Sequence, residues 1–343
     1  MIANLAKSHS PALRLKQPAE PTAQPAPLEN PEPKTPEDAW DYTTAREFLS
    51  GGLGYGFLKA VGTSMEWWQG MDEVPRVQLQ EPVLFVQGFV APPGQFSTAL
   101  KHLTSDGLNG GAPVYIKDGQ FFSDTWCKNK MEPGPESKVF RLIHDPLASP
   151  EVIADKMELA TVAIEKVSGD CRPDVVAHSL GGLGARIYTD RGNKVGKLAM
   201  VGTPNQGSRA ALLTKAALVN GISWATSLAH VNAAAIPALE WMVPTGNGNQ
   251  HLQSLNSRWE SQQAQTEGAV IIGANAFDSP SPTLESEPGD GLIEASSLQV
   301  GDCPTLILSG DESRKGHYTM AADPEIFQAY SDFFGWKPVK TGP

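Results

Sequence analysis

The sequence predicts an α/β fold: a mostly parallel central sheet with helices on both faces and a helical insertion late in the chain. Three observations carry this. Short, continuous apolar runs at 82–89, 174–177, 198–201, 269–273 and 304–310 alternate with stretches of helical spacing, which is the pattern of strands buried on both faces by crossover helices. The run Asp174-Val175-Val176-Ala177 leads straight into His178-Ser179-Leu180-Gly181-Gly182-Leu183-Gly184, a strand, a serine among small residues and a glycine-rich helix start. Residues 209–256 lie between two core strands and are too long for an ordinary connection.

The chain of 343 residues is long enough for one large α/β domain with additions. Residues 1–38 carry Pro11, Pro18, Pro21, Pro25, Pro27, Pro31, Pro33 and Pro36 with few large apolar side chains between them. Such a segment buries too little surface to offset its ordering entropy and reads as a disordered, extended tail. Residues 39–78 are richer in aromatic and apolar side chains and read as an N-terminal helical decoration. Trp67 and Trp68 there are expected to pack, or else to line an acyl site. Residues 79–343 form the expected catalytic domain.

Within that domain, Pro82 to Phe89 gives the first buried strand and Phe96 to Leu103 a helix. Strands are expected at Pro113–Ile116 and Lys138–Ile143, with the register between them open. Ser149-Pro150-Glu151 starts a helix with a serine cap, proline at the first position and an acid in the first turn, and Gly169 ends it. The last helix has Asp323 as cap, Pro324 at its first position and Gly335 as its stop. The insertion at 209–256 reads as short helices, forming either a moving lid or a fixed helical wall.

The net charge of −11 argues against nucleic acid as a partner. It disfavours anionic membranes too, although an apolar mouth could touch lipid transiently. No stretch reaches the ~20 apolar residues that span a bilayer, and the N-terminus lacks a basic start, an apolar core and a small-residue cleavage site. The expectation is a cytoplasmic protein, or one exported by a route not readable in the sequence. Cys127, Cys171 and Cys303 fit neither a zinc site nor a disulfide scaffold, which leaves one disulfide or three thiols. No cofactor or metal is expected, and the oligomeric state is left open.

A serine hydroxyl needs an imidazole to take its proton and a carboxylate to orient that imidazole. Ser179 is the expected nucleophile. Ala177 stands where glycine is usual, and it is the smallest alternative beside a strained serine. Of seven histidines only His317 follows the final core strand, and it is the expected base. His9 lies in the tail, His102 and His144 precede the serine, and His230 and His251 fall in the insertion. His178 sits inside the turn with its ring expected to point elsewhere. Asp290, after the strand at 269–273, is the leading acid; Asp311 and Glu312 are alternatives but lie very close to His317 in the chain. The oxyanion donors are expected to be the N–H groups of Leu180 and Phe89.

Five pieces in order resemble the bacterial lipase and esterase branch of the α/β-hydrolase superfamily: Val86-Gln87-Gly88-Phe89, Ala177-His178-Ser179-Leu180-Gly181-Gly182, Gly202-Thr203-Pro204-Asn205-Gln206-Gly207-Ser208, Gly289-Asp290-Gly291-Leu292-Ile293 and Gly316-His317. Met242-Val243-Pro244 through Leu252-Gln253-Ser254-Leu255-Asn256 resembles the segment that closes the lid in such triacylglycerol lipases. The resemblance covers about 80–335 and implies the α/β-hydrolase fold, a triad of Ser179, Asp290 and His317, and an oxyanion hole of Phe89 and Leu180. Two residues depart from it: Gln87 stands where histidine is usual before the glycine, which is expected to alter hydrogen bonding beside the oxyanion loop, and Asn205 stands where histidine is common after Thr-Pro. Some relatives carry a structural calcium ion, but its ligands have no match here. The function implied is serine ester hydrolysis on a small-molecule or lipid ester. An acyltransferase, phospholipase or thioesterase would use the same groups, and a non-catalytic binding protein would keep only the fold.

Overall fold

The computed structural model describes residues 71–91, 94–169, 171–219, 233–279, 287–310 and 314–339. The proline-rich tail, most of the N-terminal decoration (Trp67 and Trp68 included), His9, His230, Asp311 and Glu312 lie outside them. The elements in chain order are β1 (Val77–Gln78), β2 (Val83–Val86), α1 (Ser97–Thr104), β3 (Val114–Lys117), β4 (Gln120–Phe122), β5 (Val139–Leu142), α2 (Pro150–Ser168), β6 (Asp174–His178), α3 (Leu180–Asp190), β7 (Lys197–Val201) and α4 (Arg209–Val219). There follow α5 (Ile236–Met242), α6 (Gln250–Ser257), α7 (Trp259–Gln263), β8 (Gly268–Ala274), β9 (Phe277–Ser279), β10 (Glu287–Gly289), β11 (Thr305–Leu308), α8 (Pro324–Phe334) and β12 (Lys337–Pro338).

Eight strands form one sheet in the order β11-β8-β7-β6-β2-β5-β3-β4. Every pairing is parallel except β3 with β4. The strand period of two sorts the side chains onto two faces. Leu84, Val86, Val175, Ala177, Leu198 and Met200 join the core under α2 and α3. Val83, Phe85, Val176, Ala199 and Val201 join the core under α1 and α8. All four residues of β2 and all five of β6 are buried, so the middle of the sheet is apolar on both faces, as the continuous runs require.

Helix ends follow their local chemistry. Asp323 caps α8, its carboxylate accepting the N–H of Glu325 at 2.8 Å and of Ile326 at 3.0 Å. Gly335 ends α8 with a left-handed φ of 76°. Ser149 precedes α2 in extended backbone, and proline supplies the first turn, but the serine side chain makes no cap bond. The sequence reading missed the β3–β4 hairpin. Its signal was present: Asp118-Gly119 turns with φ of 51° and 72°, the left-handed pair of a two-residue hairpin turn. The three cysteines are free thiols. No helix among the described residues is long and apolar enough to cross a membrane.

The described end of the N-terminal segment is not loose. Met71, Val74 and Val77 are buried in the α1/α8 core, and β1 pairs antiparallel with β12, placing Val77 opposite Pro338. The insertion is also tied down over its second half. Trp241 Nε1 donates to Glu151 at 2.6 Å, Asn249 Nδ2 to the Val243 carbonyl at 2.6 Å, and Asn256 Nδ2 to the Asn205 carbonyl at 2.7 Å.

Asp174 opens β6 in a buried position, its Oδ1 accepting the Lys197 N–H at 2.7 Å. Burial pushes its carboxyl up to about 6, outweighing that bond and the charge of Lys197. A raised carboxyl pKa means that the folded state holds the proton more tightly. Its stabilising contribution is complete below the unfolded value of about 4 and is lost as pH rises through about 6. Asp174→Asn cannot ionise and is expected to reduce the fall in unfolding free energy between about pH 4 and pH 7 by on the order of 1–3 kcal/mol. Urea titrations across that range check it; equal pH slopes in the variant and the wild type would refute it.

Candidate active site

The site sits above the C-terminal edge of the sheet, where β6 turns into α3. Ser179 occupies that turn with φ 54° and ψ −129°, a region that non-glycine residues enter only when their surroundings hold them there. Its N–H is fixed to the Val201 carbonyl of the adjacent strand end at 2.8 Å. The small neighbours are needed for contact. A Cβ on Gly88 would lie 2.6 Å from Ser179 Cβ and 2.9 Å from the His178 carbonyl, and one on Gly181 would lie 2.5 Å from the Gln87 carbonyl. The loop after β2 therefore rests directly on the serine turn.

His317 and Asp290 arrive from loops after β11 and β10. His317 Nε2 lies 2.8 Å from Ser179 Oγ, and its Nδ1 lies 2.7 Å from Asp290 Oδ2. Asp290 Oδ1 accepts the N–H groups of Leu292 at 3.0 Å and Ile293 at 2.8 Å. One carboxylate oxygen is thus held by the backbone, and the other faces the imidazole. The His317 N–H donates to the Asp290 carbonyl at 2.9 Å, so the two loops are joined by backbone as well as side chains. Ser179, Asp290 and His317 are each at most 3% exposed. The structure brings together the three residues singled out in the sequence.

Leu180 is buried and opens α3. The first N–H groups of a helix have no intrahelical acceptor, so that of Leu180 is left for an external one. Phe89 follows Gly88 at the rim. Beyond it, Val90 takes a left-handed φ of 49°, an outlier for a β-branched side chain, and its N–H is held by the Pro146 carbonyl at 2.8 Å. Tyr318 donates to the Phe89 carbonyl at 3.3 Å. Ser179 and His317 open into a pocket of about 90 Å³, walled largely by Phe89, Val90, Ala211, Leu239, Met242 and Leu292. Three of these come from the insertion and its flanks. Ser208, also in the wall, donates from Oγ to the Leu292 carbonyl at 2.7 Å.

The two departures from the lipase pattern each meet a buried arginine. Gln87 Oε1 accepts from Arg141 Nη2 at 2.8 Å, and Gln87 Nε2 donates to the His144 carbonyl at 3.3 Å. Asn205 Oδ1 accepts from Arg186 Nη1 at 2.9 Å, and Asn205 Nδ2 donates to the Leu298 carbonyl at 2.6 Å. Burial lowers both guanidinium pKa values, to about 10 for Arg141 and about 9 for Arg186. An amide supplies both an acceptor for the cation and a donor for a carbonyl, which suits it to these positions.

Other histidines stand apart from the serine. His102 Nε2 faces the Pro75 carbonyl, His144 faces the carbonyls of Asp145 and Gln87, and His251 packs on Trp241 with ring centroids 5.1 Å apart. His178 does turn away from the pocket, but it is no bystander. Its Nε2 lies 2.6 Å from the His317 carbonyl and its Nδ1 lies 3.0 Å from Gln95 Nε2. Sequence reasoning missed Gln95, Ser208 and Tyr318. Tyr318, next to the expected base, and Ser208, at the end of the Gly202–Ser208 motif, had a positional signal; Gln95 had none.

No protein-family model matches the sequence, and no curated protein matches it. Solved structures do resemble it. The mature form of a Bacillus licheniformis lipase aligns with a TM-score of 0.50 at 13% identity, over 74% of this chain and 91% of that one. A Listeria innocua gene product aligns with a TM-score of 0.48 at 15% identity, over 77% of this chain and 96% of that one. With the sheet order and the serine turn, the first likeness defines the class: this chain has the α/β-hydrolase fold. The similarity to bacterial lipases and esterases expected from the motifs is present at the level of that fold.

Gly88→Ala places a methyl group against Ser179 Cβ and must push the loop outward. It is expected to slow labelling of Ser179 by a fluorophosphonate at least about tenfold, because misplacing a loop by about 1 Å costs up to ~100-fold. Stopped labelling time courses with mass spectrometry measure this. Wild-type labelling rates would show that the loop has slack.

Proposed function

We propose that this protein is a serine carboxylic ester hydrolase that works through an acyl-serine intermediate. The observation that carries the proposal is the continuous chain from Ser179 Oγ to His317 Nε2 at 2.8 Å and from His317 Nδ1 to Asp290 Oδ2 at 2.7 Å, set on a serine with left-handed backbone.

In this mechanism Ser179 Oγ attacks the ester carbonyl carbon while its proton passes to His317 Nε2. Asp290 keeps the Nδ1 proton in place and stabilises the imidazolium. The N–H groups of Leu180 and Phe89 receive the oxyanion. Collapse of the tetrahedral intermediate breaks the ester C–O bond, and His317 gives its proton to the departing alcohol. Water then attacks the acyl-serine, His317 takes one of its protons, and the acid leaves as Ser179 regains a proton. The bonds from Leu292 and Ile293 to Asp290 Oδ1 support a fixed carboxylate during this cycle.

The substrate class follows from the pocket. Phe89, Val90, Ala211, Leu239, Met242 and Leu292 give an apolar wall suited to an acyl chain. We assign acyl chains of medium or long length. The bonds that hold α5 and α6 support a wall built from the second half of the insertion. The apolar rim is suited to brief contact with a lipid surface.

Ser179→Ala is expected to lower kcat/KM by at least about a thousandfold with no change in fold. A p-nitrophenyl ester series from acetate to palmitate, run on wild type and variant with circular dichroism as control, tests this. Substantial hydrolysis by the variant would overturn the nucleophile assignment. A rate maximum at acetate would overturn the acyl-chain assignment.

A further inference from the structure

A second buried hydrogen-bond chain runs behind Ser179, on the side away from the pocket. It starts at the Gly88 N–H, which faces Gln95 Oε1 at 3.4 Å. Gln95 Nε2 lies 3.0 Å from His178 Nδ1, and His178 Nε2 lies 2.6 Å from the His317 carbonyl. Gln95 is 2% exposed and His178 fully buried. The chain therefore crosses three separate parts of the site: the loop after β2, the serine turn and the loop that carries His317.

Its two ends are backbone groups, and their polarity is fixed. Gly88 offers an N–H, which only donates; His317 offers a carbonyl, which only accepts. Amide orientation and histidine tautomer are normally open choices. Here the ends settle them. Gln95 must present its oxygen to Gly88, so its NH₂ faces His178. His178 Nδ1 must then accept, which leaves the ring proton on Nε2, aimed at the His317 carbonyl. A neutral imidazole meets this arrangement with no donor or acceptor left over. Burial, with the nearby His317 adding to it, pushes the His178 pKa well below its ordinary value, in keeping with a neutral ring.

The surroundings hold this pair in place. The Phe96 ring meets His178 edge-on with centroids 6.3 Å apart. Phe96 itself has a left-handed φ of 66° beside Gln95. The His178 and His317 rings are tilted with centroids 4.7 Å apart. With the His317 N–H bound to the Asp290 carbonyl at 2.9 Å, the His178 bond clamps the remaining backbone group of His317. The imidazole that reaches Ser179 is then free only to rotate about its side-chain bonds.

We propose that Gln95 and His178 are positioning residues, a single-tautomer relay that sets the His317 loop and the Gly88–Phe89 loop in register across the serine turn. This rests on the ester-hydrolase reading above. Neither residue touches substrate. Their effect acts through the placement of the base and of the Phe89 N–H, and such placement errors cost rate steeply.

The test begins with wild-type protein, ¹⁵N-labelled at histidine, which needs no variant to fold. The expected NMR signature of His178 is a protonated Nε2 and an unprotonated Nδ1 from about pH 5 to pH 8. A protonated Nδ1 at neutral pH would overturn the relay. Gln95→Leu removes both Gln95 bonds at similar volume, and Gln95→Glu keeps an acceptor for Gly88 but no donor for His178. Both are expected to lower kcat by about ten- to a hundredfold with KM changed less than about twofold; Gln95→Leu leaves the His178 proton on Nε2 facing the His317 carbonyl, and Gln95→Glu draws a proton to Nδ1 as well. Wild-type kcat in Gln95→Leu would overturn the proposal while leaving the hydrolase reading intact. Loss of Ser179 as the labelled nucleophile would overturn the hydrolase reading, and the His178 tautomer would still report on the relay.

Discussion

The close packing of the β2 loop on the serine turn is the constraint from which the rest of the site follows. Ser179 keeps an unfavourable backbone conformation because β6 is buried on both faces and its end is bonded to β7. The loop at Gly88 then lies so near that a side chain cannot be admitted. The apolar sheet thus supplies the free energy that holds a polar, strained turn.

Two loops complete the arrangement, one after β11 of the sheet and one after β10 of the separate β9–β10 pair, and they meet under close contact too. Gly202, with φ of 57°, lies beneath the acid–base pair, and a Cβ there would stand 2.8 Å from Met320 Sδ and 3.2 Å from Asp290 Oδ2. A glycine at the end of β7 is therefore required for Asp290 and His317 to sit where they do. Buried polar groups around the site are met by backbone partners more than by opposite charges. Asp290 accepts two N–H groups, and His178 donates to a carbonyl. Backbone partners have fixed polarity and little freedom, so they specify geometry without the desolvation cost of a buried ion pair.

The sheet and the Ser179–His317–Asp290 chain were legible in the sequence because both leave local marks. Buried parallel strands read as apolar runs, and the serine turn needs small residues at fixed offsets. Asp290 and His317 could be chosen by their order after strands. The relay was not legible. Gln95 is an ordinary polar residue before a helix, and its partner lies 83 positions away. No periodicity links two residues whose only relation is a tautomer. Gln87 and Asn205 were visible as departures but not as partners, since the buried Arg141 and Arg186 come from other elements. The β3–β4 hairpin is hard to read for a different reason: β4 holds only three residues, of which Phe122 alone is buried, so no apolar run follows the Asp118-Gly119 turn.

The pairing of β1 with β12 brings residue 77 against residue 338, and this has a consequence for synthesis. Contacts between such distant positions close late and slowly. A growing chain on the ribosome lacks α8, which covers the face of the sheet opposite α3, until Pro324–Phe334 emerges. Phe85 and Val176, which share that core with Tyr330 of α8, are covered only on the α1 side until then. The nascent chain would therefore expose part of an apolar surface to chaperones until α8 has been made and docked.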